Sequence, residues 1–389
     1  MTSRLLTNIG ELLTNDSSRV DETPVGRVLD AAIVVDEERV LWVGRGADAP
    51  AADEYYDARG AAVVPGFVDS HTHLIFAGER SGEFEARMAG ERYDGGGIAN
   101  TVAATRAASD EQLREQSNAR LAALRAGGVT TVEVKSGYAL DVDGEARLVR
   151  LAKEITAEVT FLGAHVVPRE FAADRDGYVA LVAGEMMTRC ASAKWTDVFC
   201  DVGAFDVDEA RTVLEAGRAN GHSLRLHANQ IADIGAVALA VETDCASVDH
   251  CTYLSDPDVE RLAGSDTVAT LLPGAEFSTR SPYPSGRRLL DAGVKVALAT
   301  DCNPGTSYVT SMSFVIALAV REMGLSVDEA LWAATRGGAA ALRREDIGHL
   351  EVGARCDLVI LNAPRVAHLA YRPGSSLIRE VWRSESGEH

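Results

Sequence analysis

The sequence predicts an α/β fold in which a (β/α)8 TIM barrel carries a small β-sandwich domain built from both chain termini. In the middle of the chain, short β-branched runs alternate with longer segments of helical periodicity. Both ends hold short strand-like runs between turn residues, and neither end alone has enough apolar faces for a stable core. We therefore assign residues 65–348 to the barrel and residues 1–64 with 349–389 to one composite β-sandwich domain. The terminal runs are residues 31–35, 39–43, 61–64, 357–361 and 377–382.

Eight strand candidates belong to the barrel, and eight β-then-α units indicate a closed parallel barrel rather than an open sheet. Asp110 and Asp206 are predicted to cap two of the intervening helices at their N-termini, and Gly127 and Gly221 are predicted to end the same helices. The strand candidates are residues 64–73, 129–135, 160–165, 197–201, 224–227, 247–250, 267–272 and 296–301.

The net charge of the 389-residue chain is −20, with 58 acidic against 38 basic side chains. Such a surface repels phosphate groups, so we expect neither nucleic acid nor a membrane as a partner. A small anionic substrate remains compatible with this charge, because a local arginine can bind it. No run approaches the roughly 20 apolar residues of a membrane helix, and none of the six cysteines forms a C-x-x-C pair. We expect a cytoplasmic enzyme with buried, reduced thiols.

Histidines are concentrated at the carboxyl ends of the strand candidates, which is the rim where (β/α)8 barrels build their active sites. A single histidine in such a place is often structural, but five on one rim, with Asp301 ending the eighth strand, are hard to explain by packing. The five histidines, of nine in the chain, are His71, His73, His165, His227 and His250.

A metal site is predicted from four of these rim residues. His71 and His73 are two positions apart, so on a strand both imidazoles lie on one face. Together with His227 and Asp301 they give three nitrogens and one carboxylate, a set that suits one Zn²⁺ or Fe ion per chain. Such an ion lowers the pKa of a bound water to about 7. Asp69 lies on the same face and either orients a ligand or has a turn or salt-bridge role.

His250 ends the sixth strand candidate in the segment SVDHCTYLS. On the rim it could polarise a carbonyl group or carry a proton. The alternative interpretation of an isolated histidine is a hydrogen-bonded core residue. Its position beside the predicted metal ligands favours the functional interpretation.

The order of these residues resembles the amidohydrolase superfamily and, more narrowly, the imidazolonepropionase family. The matching segments run in order from His73 to Tyr308, and KSGY and DCNPGTS are the most specific of their motifs. The resemblance implies hydrolysis of the cyclic amide 4-imidazolone-5-propanoate to N-formimidoyl-L-glutamate by a metal-activated water. The segments are HLIFAGERSGEFEARMAGERY, GVTTVEVKSGYALD, TFLGAHVVP, LHANQ, SVDHCTYLSD and LATDCNPGTSY.

The resemblance also implies a set of substrate-binding residues. Arg80 could clamp a carboxylate through two hydrogen bonds, although its residue type alone would suggest a surface arginine. Tyr138 offers a hydroxyl, with a half-buried loop tyrosine as the alternative, and the loop after Asp301 is either a binding loop or a plain turn. Tyr93 has weaker support. The implied substrate-binding residues are Arg80, Tyr138, His165, Asn303, Gly305 and Thr306.

Gln230 departs from part of the family, because many members have a glutamate there that takes a proton from the attacking water. A glutamine amide cannot act as that base. The proton role then falls to Asp301 or His250, and Gln230 is left to hold substrate or water. The fourth strand ends in FCDVG, without the modified lysine that bridges two ions in binuclear relatives, so we expect one ion.

Two other functions remain open at this stage. A related mononuclear aminohydrolase or deaminase of a small heterocycle would use the same ligands, and ammonia release would identify it. A non-catalytic metal-binding or ligand-binding scaffold is favoured only by Gln230 and is opposed by His250 and Asp301. Relatives are often dimers, so we expect a homodimer that acts on a small anionic heterocycle.

Overall fold

The computed structural model describes residues 2–16, 18, 25–90 and 97–384. Its strands are β1 (Arg4–Leu13), β2 (Arg27–Val35), β3 (Val40–Arg45), β4 (Glu54–Asp57), β5 (Ala62–Pro65), β6 (Phe67–Asp69), β7 (Val129–Val132), β8 (Val134–Lys135), β9 (Val159–Ala164), β10 (Trp195–Cys200), β11 (Ser223–Ala228), β12 (Ser247–His250), β13 (Val268–Leu271), β14 (Val296–Leu298), β15 (Leu358–Leu361) and β16 (Ile378–Trp382).

The α-helices are α1 (Ser81–Met88), α2 (Ile98–Ala107), α3 (Asp110–Ala126), α4 (Val142–Lys153), α5 (Arg175–Leu181), α6 (Met187–Arg189), α7 (Val207–Ala219), α8 (Ala236–Glu242), α9 (Asp256–Ala263), α10 (Pro273–Thr279), α11 (Gly286–Asp291), α12 (Met312–Glu322), α13 (Val327–Trp332), α14 (Gly338–Ala341) and α15 (His368–Tyr371). Single π turns join α5 to α6 and α13 to α14, and short 3-10 turns occupy Gly46–Asp48 and Arg169–Phe171.

The central region is an α/β unit with a curled parallel sheet. Strands β8 to β14 pair in chain order, each beside the next, and β6 pairs with β7 in a separate parallel pair. Strands such as β9 and β10 are buried along their whole length, which is why their sequences show no strict alternation of apolar and polar residues. The predicted α/β class is confirmed.

The segment that follows β6 bonds to both ends of the seven-stranded sheet. On one side, Lys135 N donates to Thr72 O at 3.0 Å. On the other side, Asp301 N donates to His71 O at 3.1 Å, and His73 N donates to Cys302 O at 3.0 Å. These bonds draw the end of β14 and the end of β8 to the same short stretch of chain, and this stretch carries two of the predicted metal ligands.

The predicted strand 64–73 is wrong in its extent. Val64 belongs to β5 of the terminal sheet, Gly66 interrupts the chain, and β6 is only Phe67–Asp69. A Cβ at Gly66 would lie 2.2 Å from Thr130 Oγ1, so β6 can approach β7 this closely only with glycine there. His71 and His73 therefore lie just beyond a strand rather than within it.

Helix capping follows the sequence with one correction. Asp206 caps α7 as predicted, and its carboxylate accepts from Glu209 N at 2.9 Å. The cap of α3 is Ser109 rather than Asp110: Ser109 Oγ accepts from Gln112 N at 3.2 Å and Gln112 Oε1 accepts from Ser109 N at 2.9 Å. The glutamine three positions after the serine completes a capping box, so the reciprocal pair decides between two neighbouring capping residues.

Both ends of the chain contribute strands to one mixed sheet of seven strands, in the order β16-β15-β5-β1-β2-β3 with β4 also on β1. Strand β5 pairs with β15, so that Val64 lies opposite Val359. Side chains from five of these strands share one apolar core, which includes Leu6, Ile9, Ile33, Val43, Val63 and Ile360. The two-layered sandwich expected from the sequence is not confirmed, because β1 is long enough to pair with β4 and β5 along one edge and with β2 along the other.

Within the described part of the chain, every helix is too short or too polar to cross a bilayer. The six cysteines are free and buried, as predicted.

Candidate metal and substrate site

Four predicted metal ligands converge at the carboxyl ends of the strands. His71 Nε2 and His73 Nε2 lie 3.5 and 3.6 Å from Asp301 Oδ1. His227 Nε2 lies 3.4 Å from His73 Nε2. Ligand atoms that hold one tetrahedral Zn²⁺ at about 2.0–2.1 Å are separated from one another by about 3.3 Å. These three separations match those of atoms that share one ion. His71, His73 and Asp301 form one group of possible ligands within 4.8 Å of one another, and His227 forms a second such group with His71 and His250.

His250 lies against the same cluster. One ligand atom of each of His71, His227 and His250 falls within 4.8 Å of the others. The backbone of His250 has φ +83° and that of Asp301 has φ +52°, a left-handed conformation that non-glycine residues rarely adopt and that is common where function demands it. Both side chains are thus set by unusual backbone at the point where a strand becomes a loop.

Two buried carboxylates that sequence reasoning missed orient the histidines from behind. Asp249 Oδ2 lies 2.8 Å from His71 Nδ1, and Asp197 Oδ2 lies 2.9 Å from His227 Nδ1. A carboxylate at Nδ1 fixes the proton on that nitrogen and leaves the Nε2 lone pair for a metal. The available signal was an aspartate inside an otherwise apolar strand, since aspartate is almost never buried without a partner.

Asp69 does not orient a histidine ring. Its carboxylate accepts from Thr300 N at 3.0 Å and from Thr300 Oγ1 at 2.6 Å. Thr300 directly precedes Asp301, so Asp69 fixes the backbone that presents the aspartate ligand. Asp69 thus joins β6 to the end of β14, which agrees with the interpretation that it orients a ligand, although it acts on the backbone before Asp301 and not on a histidine ring.

The chemistry of the cluster fits a divalent cation. Burial lowers the pKa of His71, His73 and His250 well below the usual range, so all three imidazoles are neutral near pH 7 and have lone pairs to donate. His71 Nε2 and His250 Nδ1 are buried without a hydrogen-bond partner among the described residues. Buried polar atoms in native proteins are nearly always paired, and a cation at the centre of the cluster would satisfy His71 Nε2.

One small cavity brings the ligands and the predicted substrate-binding residues together. Its lining includes His73, Arg80, Tyr138, His165, His227, Gln230, His250, Asp301, Asn303, Gly305 and Thr306. Tyr93 lies outside the described residues. An adjoining cavity of about 490 Å³ shares Arg80, Gly305 and Thr306 with this lining, so the two spaces meet at the arginine.

Arg80 is a buried residue rather than a surface arginine. Its Nε and Nη2 donate to the two carboxylate oxygens of Glu83 at 2.9 and 2.6 Å. A Cβ at Gly305 would lie 2.4 Å from Arg80 Nη1, so the glycine is what allows the loop after Asp301 to lie flat against the guanidinium. The guanidinium is thus held by an internal carboxylate and covered by backbone at the edge of the cavity.

The loop after Asp301 is built around Asn303. Asn303 Oδ1 accepts from Gly305 N and Thr306 N at 2.8 Å each, and its Nδ2 donates to Asp301 O at 2.7 Å. The Asn303 side chain therefore shapes the turn that follows the metal ligand. Thr306 Oγ1 lies 3.4 Å from Asp301 Oδ2, which places its hydroxyl beside the reacting centre.

The KSGY loop is tied down by Glu145, which sequence reasoning also missed. Its carboxylate accepts from the backbone N–H groups of Gly137, Ala139 and Leu140 at 2.8 Å each. His165 Nδ1 lies 2.9 Å from Gly137 O, and burial lowers the pKa of His165 to about 4. A neutral His165 that uses Nδ1 for this backbone contact has Nε2 available for substrate.

Gln230 is positioned by hydrogen bonds between Asp201 and the backbone amides of its loop. Asp201 Oδ2 accepts from Gln230 N at 2.7 Å and from Ile231 N at 2.9 Å, and Asp201 Oδ1 accepts from Ala232 N at 3.1 Å. Asp201 follows β10, so the end of the fourth barrel strand holds the loop of the fifth. The amide side chain of Gln230 is left to line the cavity.

The curled parallel sheet and the histidine–aspartate cluster define a metal-dependent hydrolase of the amidohydrolase class. The sequence profile of the Amidohydrolase family matches residues 82–385. The crystal structure of an atrazine chlorohydrolase from Arthrobacter aurescens TC1 complexed with zinc is similar in fold, with a TM-score of 0.71 at 18% identity, and the match covers 98% of this chain and 94% of that one.

Closer relatives define the family within this class. Imidazolonepropionase from Streptomyces griseus is 58% identical over 385 residues, which is 99% of each chain. Imidazolonepropionase from Salinispora arenicola is 60% identical over 385 residues, covering 98% of this chain and 97% of that one. The chain belongs to the imidazolonepropionase family, and the resemblance found in its motifs is confirmed.

Proposed function

We propose that this chain hydrolyses 4-imidazolone-5-propanoate to N-formimidoyl-L-glutamate, a step of histidine degradation. Its full-length similarity to imidazolonepropionases supports the reaction. The structural observation that carries the proposal is the cavity lined by His73, His227, Asp301 and the buried Arg80, with His71 behind it within ligand distance of His73 and Asp301. The cluster supplies the chemistry of amide hydrolysis, and the arginine supplies a counter-ion for a substrate carboxylate.

One Zn²⁺ or Fe ion is held by His71, His73, His227 and Asp301 in this proposal. When bound, the ion supplies a Lewis acid for the ring carbonyl and lowers the pKa of a water to about 7. Spacing of the four ligand atoms supports a single ion. Lys135 ends β8 and is bonded to Glu133 and Asp197, so it is not placed to bridge a second ion.

Proton transfer is assigned to the chain's own groups. Asp301 accepts the proton of the attacking water and passes it to the ring nitrogen as the carbon–nitrogen bond breaks. The neutral ring of His250 donates an N–H to the oxygen that becomes negative. Gln230 holds water or substrate by hydrogen bonds, because its amide takes up no proton at neutral pH.

The propionate group is assigned to the side of the cavity that carries Arg80. Access through the adjoining 490 Å³ cavity leads directly to this guanidinium. Tyr138 and His165, whose ring centroids are 5.2 Å apart, border the substrate. Asn303, Gly305 and Thr306 line the cavity beside Arg80. Fixing the carboxylate determines which carbonyl faces the ligand cluster, and such positioning accounts for much of an enzyme's rate.

The decisive experiment incubates the purified, metal-reconstituted protein with imidazolone propionate. Formation of formimidoyl-glutamate is followed by mass spectrometry, and release of ammonia is measured in the same sample. We expect formimidoyl-glutamate without release of ammonia, and no product from the Asp301→Asn variant as a matched control. Ammonia release from a heterocyclic amine, with imidazolone propionate untouched, would instead identify a related aminohydrolase. Binding of imidazolone propionate without turnover would leave a non-catalytic scaffold.

The proposal also covers the domain architecture of the chain, its cellular compartment and its oligomeric state. We propose a closed eight-stranded barrel over residues 65–348, supported by the bonds of residues 69–73 to both sheet ends, and a β domain from residues 1–64 and 349–389. Six buried thiols without disulfides support a reducing, cytoplasmic setting. The homodimer expected from the sequence is also part of the proposal, and light scattering tests it by a mass of two chains.

A further inference from the structure

A lysine with no part in the reaction proposed above is buried directly behind the ligand cluster. Lys135 of the KSGY motif is fully buried, and its Nζ lies 2.9 Å from Glu133 Oε1 and 2.9 Å from Asp197 Oδ2. Removing an ammonium group from water is costly unless its partners are well placed. The ammonium of Lys135 therefore depends on these two carboxylates, and it in turn fixes their positions.

Asp197 connects this lysine to His227. The same carboxylate oxygen, Oδ2, faces Lys135 Nζ at 2.9 Å and His227 Nδ1 at 2.9 Å. The other oxygen, Oδ1, accepts from His227 N at 3.1 Å. Asp197 thus holds both the ring and the backbone of one metal-facing histidine, and Lys135 fixes the carboxylate that does so.

Glu133 connects the lysine to the other two histidines. Glu133 Oε2 accepts from Thr72 N at 3.0 Å, and Thr72 Oγ1 donates to Glu133 O at 2.6 Å. Thr72 is the residue between His71 and His73, and its carbonyl oxygen accepts from Lys135 N at 3.0 Å. Glu133 and the backbone of Lys135 therefore hold Thr72, the middle residue of the H-x-H segment, while the backbone of Asp301 and Cys302 holds His71 and His73.

We propose that Lys135 is a positioning residue that sets the metal affinity of the site. Its ammonium holds Asp197 against His227 Nδ1 and Glu133 against Thr72 N. In this way the charged lysine side chain keeps the Nε2 atoms of His71, His73 and His227 at the spacing of metal ligands. It touches neither substrate nor ligand atoms. The inference rests on the proposed metal site but not on the identity of the substrate.

The test compares Lys135→Met with Lys194→Met in the full-length protein. Lys194 forms an ion pair with the buried Glu158 away from the cluster, so it controls for the loss of a lysine. Zn²⁺ affinity is measured by competition with a chromogenic chelator, and folding by thermal denaturation of the metal-free proteins. We expect Lys135→Met to weaken Zn²⁺ binding by about 10–100-fold, the range found when groups behind a ligand are removed, and Lys194→Met to bind as the wild type does. Wild-type affinity in Lys135→Met would overturn the proposal.

A second variant separates positioning from charge balance. Lys135→Met combined with Glu133→Gln removes one positive and one negative charge together, so burial of an unpaired carboxylate at Glu133 no longer destabilises the fold. We expect this double variant to recover thermal stability relative to Lys135→Met while Zn²⁺ binding stays weak. Recovery of both properties, or failure of both variants to fold, would assign Lys135 a structural role and overturn the proposal.

Spectroscopy and kinetics distinguish this inference from the proposed reaction. The Co²⁺-substituted Lys135→Met protein should show an altered visible spectrum, because the ligand geometry has relaxed. Saturating metal should restore most of kcat with KM unchanged, because substrate contacts are intact. A wild-type protein that binds Zn²⁺ tightly yet leaves imidazolone propionate untouched would refute the proposed reaction and leave the role of Lys135 standing.

Discussion

The two sides of the histidine cluster are built differently. On the side that we call the strand side, the buried carboxylates of Asp249 on β12 and Asp197 on β10 lie 2.8 and 2.9 Å from Nδ1 of His71 and His227. On the side that we call the loop side, the Nδ1 atoms of His73 and His250 face no carboxylate within ion-pair distance among the residues described, and His73 stacks on His165 with ring centroids 5.5 Å apart. The contrast indicates that carboxylates on the strands orient the candidate metal ligands, whereas the loops shape the cavity assigned to the proposed substrate.

Asp301 is both a proposed metal ligand and the proposed proton acceptor, so its substitution should lower kcat more than any other change. Asp301→Asn keeps an oxygen beside the ligand nitrogens but loses the proton acceptor, and we expect kcat to fall by about 10²–10⁴-fold with metal still bound. Steady-state kinetics and metal analysis of the same sample check this. An Asp301→Asn enzyme with near-normal kcat would remove Asp301 from proton transfer.

Substitutions on the strand side should act through the metal. Asp249→Asn leaves His71 without a carboxylate at Nδ1, and we expect metal affinity to fall by about 10–100-fold. Arg225 Nη2 lies 3.2 Å from Asp249 Oδ2, so Arg225→Met should weaken metal binding in the same direction. Chelator competition measures both. If either variant raised KM at saturating metal, the division between the two sides would be wrong.

Substitutions on the loop side should act through the substrate. Arg80→Ala removes charge-assisted hydrogen bonds to a carboxylate, worth about 1.5–3 kcal/mol, so we expect kcat/KM to fall by about 10–100-fold. Metal content should not change. Glu83→Gln serves as the control variant, because it keeps the guanidinium of Arg80 but weakens the ion pair that holds it. We expect Glu83→Gln to raise KM less than Arg80→Ala does. Unchanged kinetics in Arg80→Ala would take the arginine out of the site.

The smallest loss of turnover is expected when Gln230 is replaced. Gln230→Ala removes a neutral hydrogen-bonding group, worth about 0.5–1.5 kcal/mol, so measurable turnover should remain within about tenfold of the wild type. Gln230→Glu tests the family's other arrangement by restoring a carboxylate at this position. A collapse of Gln230→Ala as deep as that of Asp301→Asn would show that the proton role assigned to Asp301 is wrong.

The placement of the candidate ligands at strand ends could be predicted because it depends on local sequence alone. Strand ends can be recognised from apolar runs, and His71, His227, His250 and Asp301 each follow or end such a run. The carboxylates behind them could not be assigned, because pairing Asp249 with His71 depends on contacts 178 residues apart. Asp201 and Glu145 were missed for the same reason, since they bind backbone amides that carry no sequence signal.

The terminal sheet shows a second limit. Strand β1 was not predicted, because Asn8, Gly10 and Glu11 interrupt its apolar run. The structure accommodates these residues with an irregularity between Leu6 and Ile9, where Asn8 has φ +52°. Glu11 is fully buried and accepts from Val366 N at 2.8 Å, a tertiary contact that makes a charged residue tolerable inside a strand.

Metal stoichiometry tests most directly whether one cation is shared by His71, His73, His227 and Asp301. The purified protein is reconstituted with Zn²⁺, freed of excess ion and analysed for bound metal beside His71→Ala and His227→Ala variants whose folding is verified by circular dichroism. We predict one equivalent per wild-type chain and little or none in either folded variant. Two equivalents per chain, or full occupancy in both variants, would contradict a single shared ion.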